Sequence, residues 1–278
     1  MLTCKLYGRR ANQLFQIAAV IGIAIKYELP WAIPWNTINE QAFPHKSFPN
    51  ISSVDGYISG NNVYNPLDPT IKCFPENTHG YNIPPALVVA AKDPKITACM
   101  DGYYQSYKYF EHCKDLVANL LGFSVNFRYS TGVVGIHVRR GDYLNLQDKH
   151  PVLPESYYIE AITYFKTQKL ARVFRVFSDD IAWCKEFFTS TKQEFKDCHF
   201  SFSNNTDEMA DLYELYSCDG LIIANSSFSL FAAILSQRGI KTVISPHYTQ
   251  WFGKANSHLF TADMIPEEFI QLKYTNND

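Results

Sequence analysis

From Thr131 onward, apolar and polar positions alternate between short apolar runs and longer amphipathic stretches. "GVVGIHV" (132–138) is an apolar run that predicts a buried strand. "PESYYIEAITYFKTQ" (154–168) predicts a helix, with Pro154 and Glu155 at its first turn. "RVFRVFSDD" is a strand, "IAWCKEFFTST" a helix, "CHFSFSN" a short strand, and "TDEMADLYELYSC" a helix with acidic residues in its first turn. "DGLIIAN" is a strand, "SFSLFAAILSQRG" a helix ending at Gly239, and "KTVISP" a strand. Alternation of this kind predicts a parallel, doubly wound sheet with helices on both faces.

The first half has a different pattern. A short strand over Leu2–Tyr7 and a loop over Gly8–Ala11 precede a buried helix from Asn12 to Tyr27, closed by Pro30. Lys5, Arg9 and Arg10 before the run "IAAVIGIAI" imitate a signal peptide, but Asn12, Gln13 and Gln16 interrupt the approach and no small-residue cleavage site follows. The run is also too short to span a bilayer. Pro30 to Pro94 is rich in Pro, Asn and aromatic residues and reads as an irregular half-domain. A strand over Lys95–Met100 and a helix over Ser106–Leu121 follow, and no repeat is visible.

Composition narrows the function classes. The 278 residues suffice for one large or two ordinary domains, and a formal net charge of −2 gives no general attraction to nucleic acid or anionic membrane. Any positive cluster is therefore local. Seven cysteines, an odd number without a Cys-x-x-Cys pair, argue against a zinc site or a disulfide framework and fit a reducing compartment. Aromatic residues at 15% suit amphipathic ligands such as carbohydrate, though many rings must serve the core.

In a doubly wound sheet, ligands bind outside the carboxyl ends of the strands. Three polar segments fall there: "HVRRGDY", "SDD" at Ser178–Asp180, and "NSSFS" at Asn225–Ser229. "NSSFS" feeds a helix N-terminus, whose N–H groups, hydroxyls and dipole suit a phosphate; ordinary capping by Ser226 or Ser227 is the alternative. Guanidinium forks match phosphate oxygens, so Arg139 and Arg140 beside such a terminus suit a diphosphate. An Asp142 salt bridge to either arginine, and a core role for His137, stay open beside this reading. No phosphate-loop or dinucleotide fingerprint is present, nor a His/acid set with metal-ligand spacing, so arginines would neutralise the diphosphate.

His137-Val138-Arg139-Arg140-Gly141-Asp142-Tyr143, followed by "FSDDIAWC" and "ANSSFSLFAAIL", resembles the three ordered motifs of the α-1,2-fucosyltransferases of glycosyltransferase family 11. "GRRANQLFQIAA" is similar to that family's glycine-rich loop and first helix. The resemblance implies an α/β fold of GT-B type, two Rossmann-like domains facing across a cleft, with a parallel sheet in the C-terminal half. Residues 1–128 would form the acceptor-side domain and 129–278 the GDP-sugar-binding domain. It implies inverting transfer of L-fucose from GDP-β-L-fucose to the 2-hydroxyl of a terminal β-galactoside, with no cofactor and no essential metal. The partners are then a nucleotide-sugar donor and a galactose-terminated glycan acceptor, not nucleic acid.

Carried over by motif, Arg139 and Arg140 meet the pyrophosphate, Asn225, Ser226, Ser227 and Ser229 complete the phosphate pocket, and Asp179 or Asp180 meets guanine or ribose. Gly8, Asn12, Gln13 and Tyr143 face the acceptor side. Arg139 is the candidate that stabilises the departing β-phosphate, and Asp142 and His137 are the nearest candidates for the base. Arg9 and Ala11 depart from the family's glycines, so Arg9 is expected to be strained or to recharge that wall if a positive φ is needed there. Two alternatives follow: a same-fold transferase with another acceptor or GDP-sugar, and a catalytically weak carbohydrate-binding relative. Without an apparent anchor before the first strand, a cytoplasmic or peripherally membrane-associated enzyme is expected.

Overall fold

The computed structural model describes residues 1–34, 68–77, 79–123, 130–189, 192–236 and 241–275. The chain divides into two compact units, Met1–Val125 and Asn126–Asp278. The expected boundary at 128/129, the helix end at Gly239 and much of the Pro30–Pro94 segment lie outside the described residues.

The first unit carries a parallel sheet of β1 (Leu2–Cys4), β3 (Thr97–Asp101) and β2 (Ile71–Pro75), in the order β1-β3-β2. Helix α1 (Arg10–Tyr27) is buried along nearly its whole length, Gln13 and Gln16 included. A helix apolar on every side belongs inside a fold, and α1 forms the core of this unit. No helix among the described residues is long and apolar enough to cross a membrane.

Two readings of this half need correction. Within the stretch expected to be irregular, α2 (Pro85–Lys92) forms, with Pro85 supplying the fixed φ that suits a helix's first turn. The helix expected over Ser106–Leu121 is instead two 3₁₀ turns, Tyr107–Tyr109 and Glu111–Cys113, before α3 (Lys114–Leu120). Tyr107, Tyr109 and Phe110 are all buried, and a single α-helical face cannot bury three residues at that spacing, so the chain turns tightly instead.

The second unit follows the alternation read from the sequence. Its elements are β4 (Ser130–Val138), α4 (Glu155–Thr167), β5 (Val173–Ser178), α5 (Ile181–Phe187), β6 (His199–Phe202), α6 (Glu208–Ser217), β7 (Cys218–Ile222), α7 (Ser227–Leu235) and β8 (Val243–Pro246). β9 (Ile270–Leu272) adds a sixth strand. The sheet is parallel throughout, in the order β6-β5-β4-β7-β8-β9.

Strand order therefore runs outward in opposite directions from β4 and β7. Crossovers leaving these two strands go to opposite sides, and their carboxyl ends flank the crevice where doubly wound sheets take ligands. Below the crevice the core is dense with aromatic and branched residues from both faces. Tyr157 of α4 is fully buried, and its hydroxyl donates to the Ile223 carbonyl at 2.6 Å and the Ile244 carbonyl at 3.3 Å. Those bonds tie the helix to the strand ends beside the crevice.

Candidate functional site

At the switch point, β4 delivers Arg139 and Arg140, and β7 leads through Asn225 into α7. Arg139 lies between two carboxylates: Nη2 donates to Asp142 Oδ1 at 2.5 Å and Nη1 to Asp179 Oδ2 at 2.8 Å. Its guanidinium also stands 5.3 Å from the centre of the Tyr143 ring. Arg140 Nε donates to Asp180 Oδ2 at 3.0 Å, and its guanidinium stacks 4.1 Å from the centre of the Trp183 ring. Both heads are thus fixed in direction, and each keeps further N–H groups beyond those engaged in these contacts.

The acidic residues of "SDD" hold these arginines. Asp179 Oδ1 accepts the Arg140 backbone N–H at 2.9 Å while Oδ2 meets Arg139. Asp180 caps α5 by accepting the Trp183 N–H at 3.2 Å and also holds Arg140. Both carboxylates, which the resemblance places at guanine or ribose, are engaged here with guanidinium or backbone donors. Gly141 permits the close approach: a Cβ there would collide with the Asp179 carboxylate.

Three further candidates, His137, Ser229 and Asn225, are buried. His137 is 5% exposed and its Nδ1 lies 2.9 Å from Ser229 Oγ, joining β4 to α7. Burial, assisted by the Arg139 charge, pushes its pKa from 6.5 down to about 3. It is a neutral core histidine and a poor base. Ser229 is completely buried, its hydroxyl facing His137 and the Ala224 and Ser226 carbonyls.

Asn225 is 1% exposed, and its Nδ2 donates to the Pro151 and Trp251 carbonyls at 2.9 and 3.1 Å. It pins two loops beside the α7 terminus and leaves no side-chain donor for a phosphate. Ser226 caps α7, its hydroxyl accepting the Phe228 N–H at 3.4 Å, while Ser227 in the first turn is half-buried. Tyr143 bridges the two strand ends: its hydroxyl donates to the Asn225 carbonyl at 3.2 Å and its ring stacks on His150 at 4.9 Å.

Among the expected acceptor-side residues, Gly8 has φ +71°, and a Cβ there would strike Asn12. Arg9 has an ordinary extended backbone, φ −77° and ψ 172°, and Arg10 begins α1. The strain expected at Arg9 is therefore absent, because Gly8 alone carries the left-handed turn of this loop. Asn12 Oδ1 accepts from Gln105 Nε2 at 2.8 Å, and Gln13 Nε2 donates to the Gly8 carbonyl at 3.0 Å. Gln16 accepts the Tyr7 N–H at 2.9 Å and clamps the same loop from inside.

Trp183, His150 and Gln16 were not singled out as site residues in the sequence. Trp183 carries a usable signal, since it stands three residues after Asp180 and so faces back to the start of α5. All seven cysteines are unpaired thiols. Among the described residues no group of three or more His, Cys, Asp or Glu could hold a metal ion.

A family model described as "Glycosyl transferase family 11" matches residues 88–263. An alpha-1,2-colitosyltransferase from Escherichia coli is 33% identical over 62% of this chain and 61% of its own length. A galactoside alpha-(1,2)-fucosyltransferase 2 from Bos taurus is 30% identical over 52% of this chain and 42% of its own length. The chain thus spans about half the length of such relatives. The crystal structure of POFUT1 in complex with GDP-fucose matches at a TM-score of 0.50 and 12% identity, covering 88% of this chain and 97% of that one. At that identity the likeness concerns the fold, α/β units of GT-B type on parallel sheets.

Proposed function

The chain belongs to glycosyl transferase family 11, and from that premise we propose that it transfers L-fucose from GDP-β-L-fucose to the 2-hydroxyl of a terminal β-galactoside, with inversion and without a metal. The observation that supports this reading most is the pair of arginines at the β4 end of the switch point, each oriented by a carboxylate and an aromatic ring.

The chemistry follows from where charge develops. As the bond from fucose to the β-phosphate breaks, negative charge grows on the leaving diphosphate while the sugar becomes cationic. Guanidinium groups already fixed in direction stabilise that charge without reorganising, and so favour the transition state over the ground state. Arg139 takes this role, with Arg140 holding the diphosphate and the half-buried Ser227 adding N–H and hydroxyl groups at the α7 terminus. Asp142 is the better candidate for the base: its side chain is 38% exposed, whereas His137 is sealed in the core.

A second reading is the transfer of another deoxy sugar, and the colitosyltransferase relative favours it. Competition between GDP-fucose and GDP-colitose separates the two. The weak carbohydrate-binding alternative rested on the altered loop, and the relaxed backbone of Arg9 takes away that support.

The test is fucosyl transfer to a panel of β-galactosides in the presence of EDTA, comparing wild type with Arg139→Ala. Product linked through the galactose 2-hydroxyl is expected, with the variant's kcat lower by roughly a hundredfold to a thousandfold, the usual cost of removing one fixed donor from developing charge. No transfer to any acceptor, or an Arg139→Ala enzyme of wild-type rate, overturns the reading.

A further inference from the structure

Downstream of the arginine pair, the chain from Leu146 to Pro151 forms a wall held in place largely through its backbone. The Lys149 and His150 N–H groups both donate to the Leu146 carbonyl at 2.8 Å, which closes a turn. A second loop grips that turn. The Gly253 N–H donates to the Lys149 carbonyl at 3.0 Å, and the Ala255 N–H donates to the Asp148 carbonyl at 2.8 Å. Gly253 lies so close that a Cβ there would strike the Gln147 and Asp148 carbonyl oxygens. The Asn225 side chain joins the two loops through the Pro151 and Trp251 carbonyls.

This wall presents one ring to the arginine site. His150 stacks on Tyr143 with ring centres 4.9 Å apart and planes 20° apart, and Phe252 of the second loop meets His150 by an edge at 5.6 Å. Tyr143 in turn carries the Arg139 guanidinium at 5.3 Å, and its hydroxyl is tethered to the Asn225 carbonyl. Arg139, Tyr143, His150 and Phe252 thus form one continuous chain of contacts from the end of β4 to the gripping loop. His150 Nδ1 is buried and makes no hydrogen bond, so what the residue offers Tyr143 is a ring face. Burial lowers its pKa from the usual 6.5, with the Lys149 and Arg139 charges acting in the same direction and Asp142 against them. The ring is therefore neutral near pH 7 and brings no second cation up to Arg139.

Asp142 and Asp179 hold two nitrogens of Arg139, which fixes where the guanidinium sits and leaves the tilt of its plane to the neighbouring ring. We propose that His150 is a positioning residue for Arg139, acting through the face of Tyr143. The diphosphate that Arg139 meets rests on the transferase reading above; the stack itself does not.

The experiment is titration calorimetry of the full chain with GDP, alongside fucosyl-transfer kinetics. His150→Leu retains apolar bulk and removes the planar face, and it should raise the GDP Kd about two- to tenfold, the usual worth of an aromatic pair. At saturating donor, kcat should fall by a similar factor with the acceptor KM unchanged. His150→Phe restores the face and should recover most of both. In an Arg139→Ala background, His150→Leu should raise Kd no further, because a residue that acts through Arg139 has nothing left to position. Thermal unfolding checks each variant, and His150→Gln, which also lacks a ring, is the second variant with the same expected direction.

A wild-type Kd in folded His150→Leu, a Phe variant no better than Leu, or an undiminished effect in the Arg139→Ala background overturns the positioning role while the transferase reading stands. The expected pattern of Kd values without any fucosyl transfer supports the positioning role while the transferase reading fails. No binding of GDP by wild type overturns both.

Discussion

Trp183 offers the most direct check on how the arginine pair is held. Its ring lies 4.1 Å from the Arg140 guanidinium, whose side chain is only 18% exposed, so the contact is largely withdrawn from water. Contacts of this kind contribute from about 0.5–1 kcal/mol at exposed sites to about 2 kcal/mol when desolvated. The burial here places the pair in the upper part of that range, about 1–2 kcal/mol, equivalent to roughly 5–30-fold in an equilibrium constant. Trp183→Leu retains apolar bulk and helix propensity but removes the π face. It also removes the stacking of Trp183 on Phe187 at 4.9 Å, so a modest fall in Tm is expected. Titration calorimetry with GDP, well below that Tm, should show Kd raised within the stated range, while Trp183→Phe shows a smaller rise. An unchanged Kd in a folded Trp183→Leu protein would refute the idea that the indole orients Arg140 for a diphosphate.

Other consequences are independent of that contact. Gly8→Ala forces a side chain into a left-handed backbone against Asn12 and should cost about 1–3 kcal/mol, read as a lower urea midpoint. Tyr157→Phe leaves the Ile223 and Ile244 carbonyls buried without that donor and should destabilise by about 1–3 kcal/mol in denaturant titration, with GDP affinity retained. For His137, the folded-state pKa of about 3 lies below the usual 6.5, so the unfolded chain binds the extra proton first. Its contribution is complete above pH 6.5 and is lost as pH falls toward 3. Stability measured from pH 7 to pH 4 should therefore fall more steeply in wild type than in His137→Phe, and parallel curves would show that His137 is not buried neutral.

The second unit was legible because its strands and helices each satisfy one period over a sufficient length. Runs such as "GVVGIHV" and "SFSLFAAIL" leave little choice, and their alternation dictates a parallel sheet. The same reasoning failed over Ser106–Leu121, where Tyr107, Tyr109 and Phe110 carry a mixed spacing that tertiary burial resolves into 3₁₀ turns. It missed α2 because Pro84, Pro85 and Pro94 frame the segment as a loop, although Pro85 stands where proline favours a helix start.

In the site, the sequence locates polar segments at strand ends, but it does not say which members of a segment turn inward. Within "NSSFS" that division depends on α7 geometry: Ser229 lies on the face packed against His137, whereas Ser227 sits at the open end of the first turn. Within "SDD" it depends on pairing between strands. Val138 is in register with Ser178, so the residues that follow each, Arg139 and Asp179, meet across the sheet end. A carboxylate next to an arginine in space then holds that arginine in direction. Strand register, which no single motif encodes, thus decides that Arg139 is aimed by Asp179. The same logic in the first unit, where Cys4 is in register with Met100, brings Lys5 against Asp101.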